Sequence, residues 1–158
     1  MWIVVVACCY FGFDPSWGYC SGSPWWTHFT FQFAHGNVFH LAANMLVVMV
    51  LASRNDALWI WPVSFAISSL CSLFVSTPNP TVGLSGMLFA FYGIIFLKYG
   101  PQWKPLLQTC VFMVVSCFFV SRMAVGLHFM SLFGGCMVGG LIGVANELKR
   151  KERMYDDR

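Results

Sequence analysis

The chain has 158 residues, of which 58% are hydrophobic and only 9% are charged, whereas about 25% of the residues in an ordinary soluble domain are charged. This balance leaves too little polar surface for a water-soluble protein, so it predicts a protein that lies in a lipid bilayer. The net charge of +3 does not indicate a nucleic-acid partner, because five of the nine basic residues follow a long apolar run at the end of the chain, namely Lys149, Arg150, Lys151, Arg153 and Arg158.

Six apolar stretches approach the length of a membrane crossing, which takes about 20 residues in a helix. They are 1–13, 36–52, 57–76, 84–98, 105–121 and 125–146. The first stretch is short for a full crossing, as expected of a short or truncated helix. The sequence therefore predicts an all-α membrane protein, with a six-helix transmembrane domain at 1–146 and a basic cytoplasmic tail at 147–158.

The basic residues predict how these spans are oriented. Lys and Arg accumulate in the cytoplasmic loops of membrane proteins. If both termini are cytoplasmic, eight of the nine basic residues face the cytoplasm and only Arg122 lies outside. We therefore expect both termini inside, and a bacterial plasma membrane is the simplest location.

The fourth span is short and follows a segment that cannot be helical. Pro78 and Pro80 remove backbone donors and restrict their neighbours. A helix of about 15 residues covers only about 22 Å, so the loop before it is expected to dip into the membrane. Irregular backbone at that depth is tolerated only where protein buries it or a water-filled cavity meets it. A water-filled pocket is thus predicted where the fourth span begins.

A serine lies at this predicted pocket, within Gly83-Leu84-Ser85-Gly86. The free N–H groups of a first helical turn attract negative charge, so a nucleophilic Ser85 would have an oxyanion site beside it. The alternative is that Ser85 only caps the helix and that Gly83 and Gly86 serve close packing.

His128 is the candidate base for Ser85. It lies near the start of the sixth span, which runs in the same direction as the fourth, so both residues are expected at similar depth. An ionisable residue within a span indicates a functional site, although a histidine can also form a hydrogen bond between helices. Phe89, one turn after Ser85, could hold the ring of His128. Small residues that would let the two helices approach are Ser131, Gly135, Gly139 and Gly143 on the sixth span and Gly86, Ala90 and Gly93 on the fourth.

The second span adds two polar side chains at the same depth. His40 and Asn44 are four residues apart and so share a helix face. They could stabilise an oxyanion together with the backbone N–H of Ser85, or they could form hydrogen bonds between helices. No carboxylate is placed to complete a triad, so a serine mechanism would use a Ser–His dyad. A zinc site of His28, His35 and His40 is disfavoured, because their spacing matches no familiar ligand motif.

These motifs resemble those of the rhomboid family of intramembrane serine proteases. The shared features are the His-x-x-x-Asn pair of the second span, His40 and Asn44, the Gly-x-Ser-Gly motif from Gly83 to Gly86, and His128 at the start of the sixth span. The resemblance extends over nearly the whole chain.

The resemblance implies a six-helix bundle in which Ser85 attacks the scissile carbonyl and His128 acts as base and then as acid. It also implies that His40, Asn44 and the N–H of Ser85 line the oxyanion hole. The implied substrates are single-span membrane proteins cleaved near the outer face, with no cofactor and no metal. A catalytically inactive relative that binds membrane helices is the alternative. A small transporter or channel is disfavoured, because the middle of the spans carries few polar residues.

Overall fold

The computed structural model describes residues 2–52, 58–98, 107, 111 and 124–156, the side chains of residues 2–5 excepted. This part of the chain is helical, and its one β pairing is an isolated antiparallel bridge between Tyr19 and Thr81. A short 3-10 helix occupies Pro15–Trp17. The α-helices are α1 (Trp2–Phe11), α2 (Thr27–Thr30), α3 (Val38–Ala52), α4 (Ile60–Ser72), α5 (Ser85–Lys98) and α6 (Val125–Asp156).

The long helices follow five of the six predicted spans. The fifth span, 105–121, lies outside the described residues apart from positions 107 and 111. Among the described helices, α6 alone is long and apolar enough to cross a membrane by itself. The helices α3, α4 and α5 are apolar but have only 15, 13 and 14 residues. The helical fold class is therefore confirmed, and the number of crossings stays a prediction.

The helix α6 extends beyond residue 146, where the predicted sixth span ends. The helix continues to Asp156, so most of the predicted tail extends the helix. An exposed ion pair between Arg150 and Glu147, 2.8 Å apart, joins side chains on neighbouring turns, which supports an exposed helix modestly.

The segment before α5 is irregular, as its prolines predict. Residues 75–83 form no helix, and they are held by hydrogen bonds to the loop between α1 and α3. The N–H of Tyr19 donates to the carbonyl of Thr81 at 3.2 Å, and the N–H of Thr81 donates back to Tyr19 at 2.8 Å. These hydrogen bonds thus satisfy part of the loop backbone, which has no helical hydrogen bonds of its own.

The helix α5 lies at the centre of the described fold. Nearly all of its side chains between the first and last turns are buried. The buried core contains residues of α3, α4 and α5 together with Leu84, namely Val48, Leu51, Ile60, Leu84, Met87, Leu88, Phe91, Ile94 and Ile95. The first residue of α5 is therefore fixed by a helix that is packed on several sides.

The backbones of α5 and α6 are in direct contact through glycines. A Cβ atom on Gly135 would overlap the carbonyl oxygen of Ala90. A Cβ on Gly139 would meet the α5 backbone in the same way, and a Cβ on Gly93 would overlap the carbonyl of Leu132 on α6. The small residues that the sequence places on the two spans thus face one another.

Gly135→Ala is expected to lower the free energy of unfolding by about 1–3 kcal/mol, because the added methyl group forces α5 and α6 apart. Gly140→Ala is the matched control on the same helix, since its Cβ would lie 3.5 Å from Cδ1 of Leu97, an ordinary contact. Thermal unfolding in detergent micelles compares the two. Equal unfolding temperatures would contradict the close approach at Gly135.

Candidate active site

Ser85 and His128 meet at the N-terminal ends of the two packed helices. Ser85 is the first residue of α5, and His128 is the fourth residue of α6. The Oγ of Ser85 lies 2.6 Å from Nε2 of His128, within hydrogen-bond distance. His128 is 4% exposed, whereas Ser85 is only half-buried. The imidazole is thus enclosed while the hydroxyl stays accessible.

The ring of His128 is held by packing rather than by a carboxylate. Its centroid lies 4.8 Å from that of Phe89, with the two planes tilted by 44°. Its second nitrogen, Nδ1, is buried and has no hydrogen-bond partner among the described residues. Asp14 is engaged elsewhere, since its Oδ1 accepts the N–H of Ser16 at 2.8 Å. The described site is therefore a pair of side chains, Ser85 and His128, with an aromatic wall.

The first turn of α5 offers backbone donors beside the hydroxyl. The carbonyl of Leu84 accepts the N–H of Leu88 at 3.2 Å, which is where the helical bonding of α5 begins. The N–H groups that precede Leu88 in the first turn, including that of Ser85, have no intrahelical acceptor. A negative charge next to the Ser85 hydroxyl would meet these N–H groups and the positive end of the helix dipole.

Gly83 brings α3 up to the loop that carries Ser85. Its φ of +123° lies in the region that favours glycine. A Cβ at this position would lie 2.5 Å from Cε1 and 2.7 Å from Nε2 of His40, and 3.6 Å from Nδ2 of Asn44. The glycine is required both by its backbone angle and by the ring against it. His40 and Asn44 therefore lie beside the backbone two residues before Ser85.

The side chain of Asn44 is fully buried, and neither atom of its amide has a hydrogen-bond partner among the described residues. A buried amide without a partner costs about 1–3 kcal/mol, so its presence calls for an explanation. The amide of Asn44 thus lies next to Gly83 with its hydrogen-bonding capacity unused among the described residues.

Gly86 is also required by packing, on the other side of the serine. A Cβ on Gly86 would overlap Oγ of Ser68 on α4, and it would lie 3.4 Å from Cδ2 of Leu127 on α6. The absence of a side chain therefore allows the first turn of α5 to fit between α4 and α6, next to the Ser85–His128 contact.

The loop between α1 and α3 anchors the turn that precedes Ser85. The N–H of Gly83 donates to the carbonyl of Phe31 at 2.8 Å. Phe31 is fully buried and packs against Tyr19, whose ring also stacks on His28 at a centroid distance of 5.1 Å. The Nδ1 of His28 lies 2.8 Å from Oγ of Ser72. His28 thus has a place in the loop packing.

The segment His35-Gly36-Asn37 lies next to His40, and the sequence considered His35 only as a disfavoured zinc ligand. The rings of His35 and His40 have centroids 5.1 Å apart. Burial, and secondly the charge of His40, lowers the pKa of His35 to about 4, so its ring is neutral at neutral pH. These contacts depend on the shape of the turn, and the only signal in the sequence was the closeness of the residues to His40.

Comparison with known proteins assigns the chain to a family. A family model described as Rhomboid domain matches residues 22–146, which is well over half of the chain and includes Ser85, His128, His40 and Asn44. No curated protein matches the chain. The chain therefore belongs to the rhomboid family, whose members are integral membrane proteins and generally intramembrane serine proteases.

Proposed function

We propose that this rhomboid is an active serine endopeptidase that cleaves single-span membrane proteins near the outer face of the membrane. The observation that supports this best is the 2.6 Å distance between Oγ of Ser85 and Nε2 of His128. A serine hydroxyl is a weak nucleophile until a base within hydrogen-bond reach takes its proton. Both groups are present here at that distance, so the chain carries what an inactive relative would lack.

In the proposed reaction, Oγ of Ser85 attacks the scissile carbonyl carbon while Nε2 of His128 takes the hydroxyl proton. The resulting imidazolium then gives that proton to the leaving nitrogen, and the C–N bond breaks to leave an acyl ester on Ser85. Water attacks the ester with Nε2 of His128 again as base, which releases the acid and restores the hydroxyl. His128 thus acts first as base and then as acid in each half of the reaction.

The proposed oxyanion hole combines three donors around the carbonyl oxygen. The backbone N–H of Ser85 opens α5, and the side chains of His40 and Asn44 lie against Gly83, two residues before it. Donors that are already in place need no reorganisation when the negative charge develops. The unpartnered amide of Asn44 has a use under this proposal, since its partner is the substrate.

Ser85→Ala is expected to abolish cleavage of a model single-span substrate by the purified protein in liposomes, by at least about 1,000-fold. A fluorophosphonate should label the parent protein and leave Ser85→Ala unlabelled. Ser64→Ala is the control, because it removes another buried serine hydroxyl, on α4, that has no described contact with the dyad. Equal cleavage by the parent and Ser85→Ala would remove Ser85 from the mechanism. An unreactive parent protein would favour an inactive rhomboid that only binds membrane helices.

His40→Ala is expected to lower kcat by about 100- to 1,000-fold, the usual effect of losing one oxyanion donor. KM should change little, because the proposed donor acts on the transition state more than on the bound substrate. Ser64→Ala is again the control and should leave kcat unchanged, because Ser64 is a buried polar side chain on α4 with no described contact to the dyad. A raised KM with an unchanged kcat would assign His40 to substrate binding.

We also propose that the chain crosses a bacterial plasma membrane six times, with both termini in the cytoplasm. The excess of Lys and Arg at the predicted cytoplasmic positions supports this orientation. Under this proposal the helical segment from 147 to Asp156 projects into the cytoplasm as a continuation of α6. Green fluorescent protein fused after Arg158 should fluoresce, and alkaline phosphatase fused there should be inactive. An active phosphatase fusion would reverse the orientation.

A further inference from the structure

We propose that the backbone N–H of Gly36 determines which ring nitrogen of His40 carries the proton, so that Nε2–H faces the turn before Ser85. The benefit to catalysis rests on the function proposed above. The protonation pattern itself is a property of the folded protein and can be measured without any cleavage.

The start of α3 places the ring of His40 over Gly36. The side chain of Asn37 accepts the N–H of His40 at 2.8 Å, and the carbonyl of Asn37 accepts the N–H of Leu41 at 3.1 Å. This is the bonding of a capped helix N-terminus. His40 is therefore fixed in the first turn of α3, close to the residue that precedes the cap.

The ring of His40 presents Nδ1 to the backbone of Gly36. The N–H of Gly36 lies 3.5 Å from Nδ1, at the long end of the hydrogen-bond range. A Cβ built on Gly36 would lie 3.9 Å from the same nitrogen, so the ring edge lies directly against this residue. A backbone N–H can only donate, so Nδ1 must offer its lone pair. In the neutral ring the proton is then on Nε2.

The side of the ring formed by Cε1 and Nε2 lies against Gly83, in the turn before Ser85, with Cε1 the nearest atom to a Cβ built there. A Cβ on Gly83 would lie 2.7 Å from Nε2 of His40, and no such atom exists because the residue is glycine. Since Nδ1 is taken by Gly36, the N–H of the ring points towards the loop that carries Ser85. The other protonation state would place a lone pair there, which would repel a developing oxyanion.

His35 holds the ring in this position from the side. Its Nδ1 lies 3.0 Å from the carbonyl of Phe33, and a carbonyl only accepts, so this nitrogen carries the proton of His35. The ring meets that of His40 nearly edge to face, at 69° between the planes. His40 is thus confined between His35 and Gly83, with Gly36 at its Nδ1 edge.

Nuclear magnetic resonance of ¹⁵N-histidine-labelled Ser85→Ala protein in lipid nanodiscs tests the inference. His40 is assigned by the signal lost in Ser85→Ala/His40→Gln. At neutral pH we expect Nε2 of His40 to be protonated and Nδ1 to be unprotonated in most molecules. A majority with the proton on Nδ1 would overturn the inference. Because Ser85 is absent, the result does not depend on whether the protein is a protease.

Two variants of residue 36 test whether its N–H is the cause. Gly36→Ala keeps the N–H, and its Cβ fits at 3.9 Å from Nδ1, so the Nε2–H signal should remain. Gly36→Pro removes the N–H and should raise the Nδ1–H population several-fold. The same protonation pattern in both variants would show that Gly36 does not set it.

Hydrogen exchange supplies a second test that does not need the proline variant to fold. His40→Phe keeps a ring of similar size and removes the acceptor at Nδ1. The amide of Gly36 should then exchange several-fold faster than in the parent, while the amide of Gly22, in a loop turn with open space around it, should exchange at the same rate in both. An unchanged rate at Gly36 would overturn the proposed hydrogen bond.

Discussion

The close approach of α5 and α6 is the constraint on which the site depends. Ser85 and His128 lie in the first turns of these helices, so the distance between their side chains is set by the distance between the two backbones. Lipid gives no hydrophobic driving force for helix association, and packing of small residues takes its place. The contact of Gly135 with the backbone of Ala90, which leaves no room for a Cβ, therefore positions His128 relative to Ser85.

The loop before α5 adds the second part of this geometry. A buried backbone segment that leaves helical form must find other hydrogen-bond partners. Here the loop between α1 and α3 provides them, through the Tyr19–Thr81 pair and the bond from Gly83 to Phe31. At Gly83 this turn has no side chain, and the ring of His40 occupies the space that a Cβ would need. The bonding of the loop and the proposed oxyanion hole are thus linked at Gly83.

The sequence predicted the features that depend on which type of residue stands at a position. Small residues along two spans of the same direction predicted the meeting of Ser85 with His128, and Pro78 and Pro80 predicted the irregular loop. The Gly36–His40 contact and the bond from Gly83 to Phe31 could not be predicted, because a backbone N–H is present at every residue except proline. The sequence predicted a basic tail at 147–158 without a secondary structure for it, because hydropathy indicates where an apolar run ends and not where a helix ends.

The proposed dyad also explains why an isolated imidazole can serve as base in this setting. In the proposed reaction, a cation forms on the ring of His128 and an anion forms on the substrate oxygen beside it. Attraction between opposite charges grows as water is excluded, so in a buried site each charge stabilises the other. Phe89 orients the ring without adding a charge, and the donors near Gly83 hold the anion close. A fixed carboxylate at Nδ1 would add a permanent charge that must be desolvated before any substrate arrives. Pairing two charges that exist only during the reaction avoids that cost, and it makes the dyad dependent on the donors of α3.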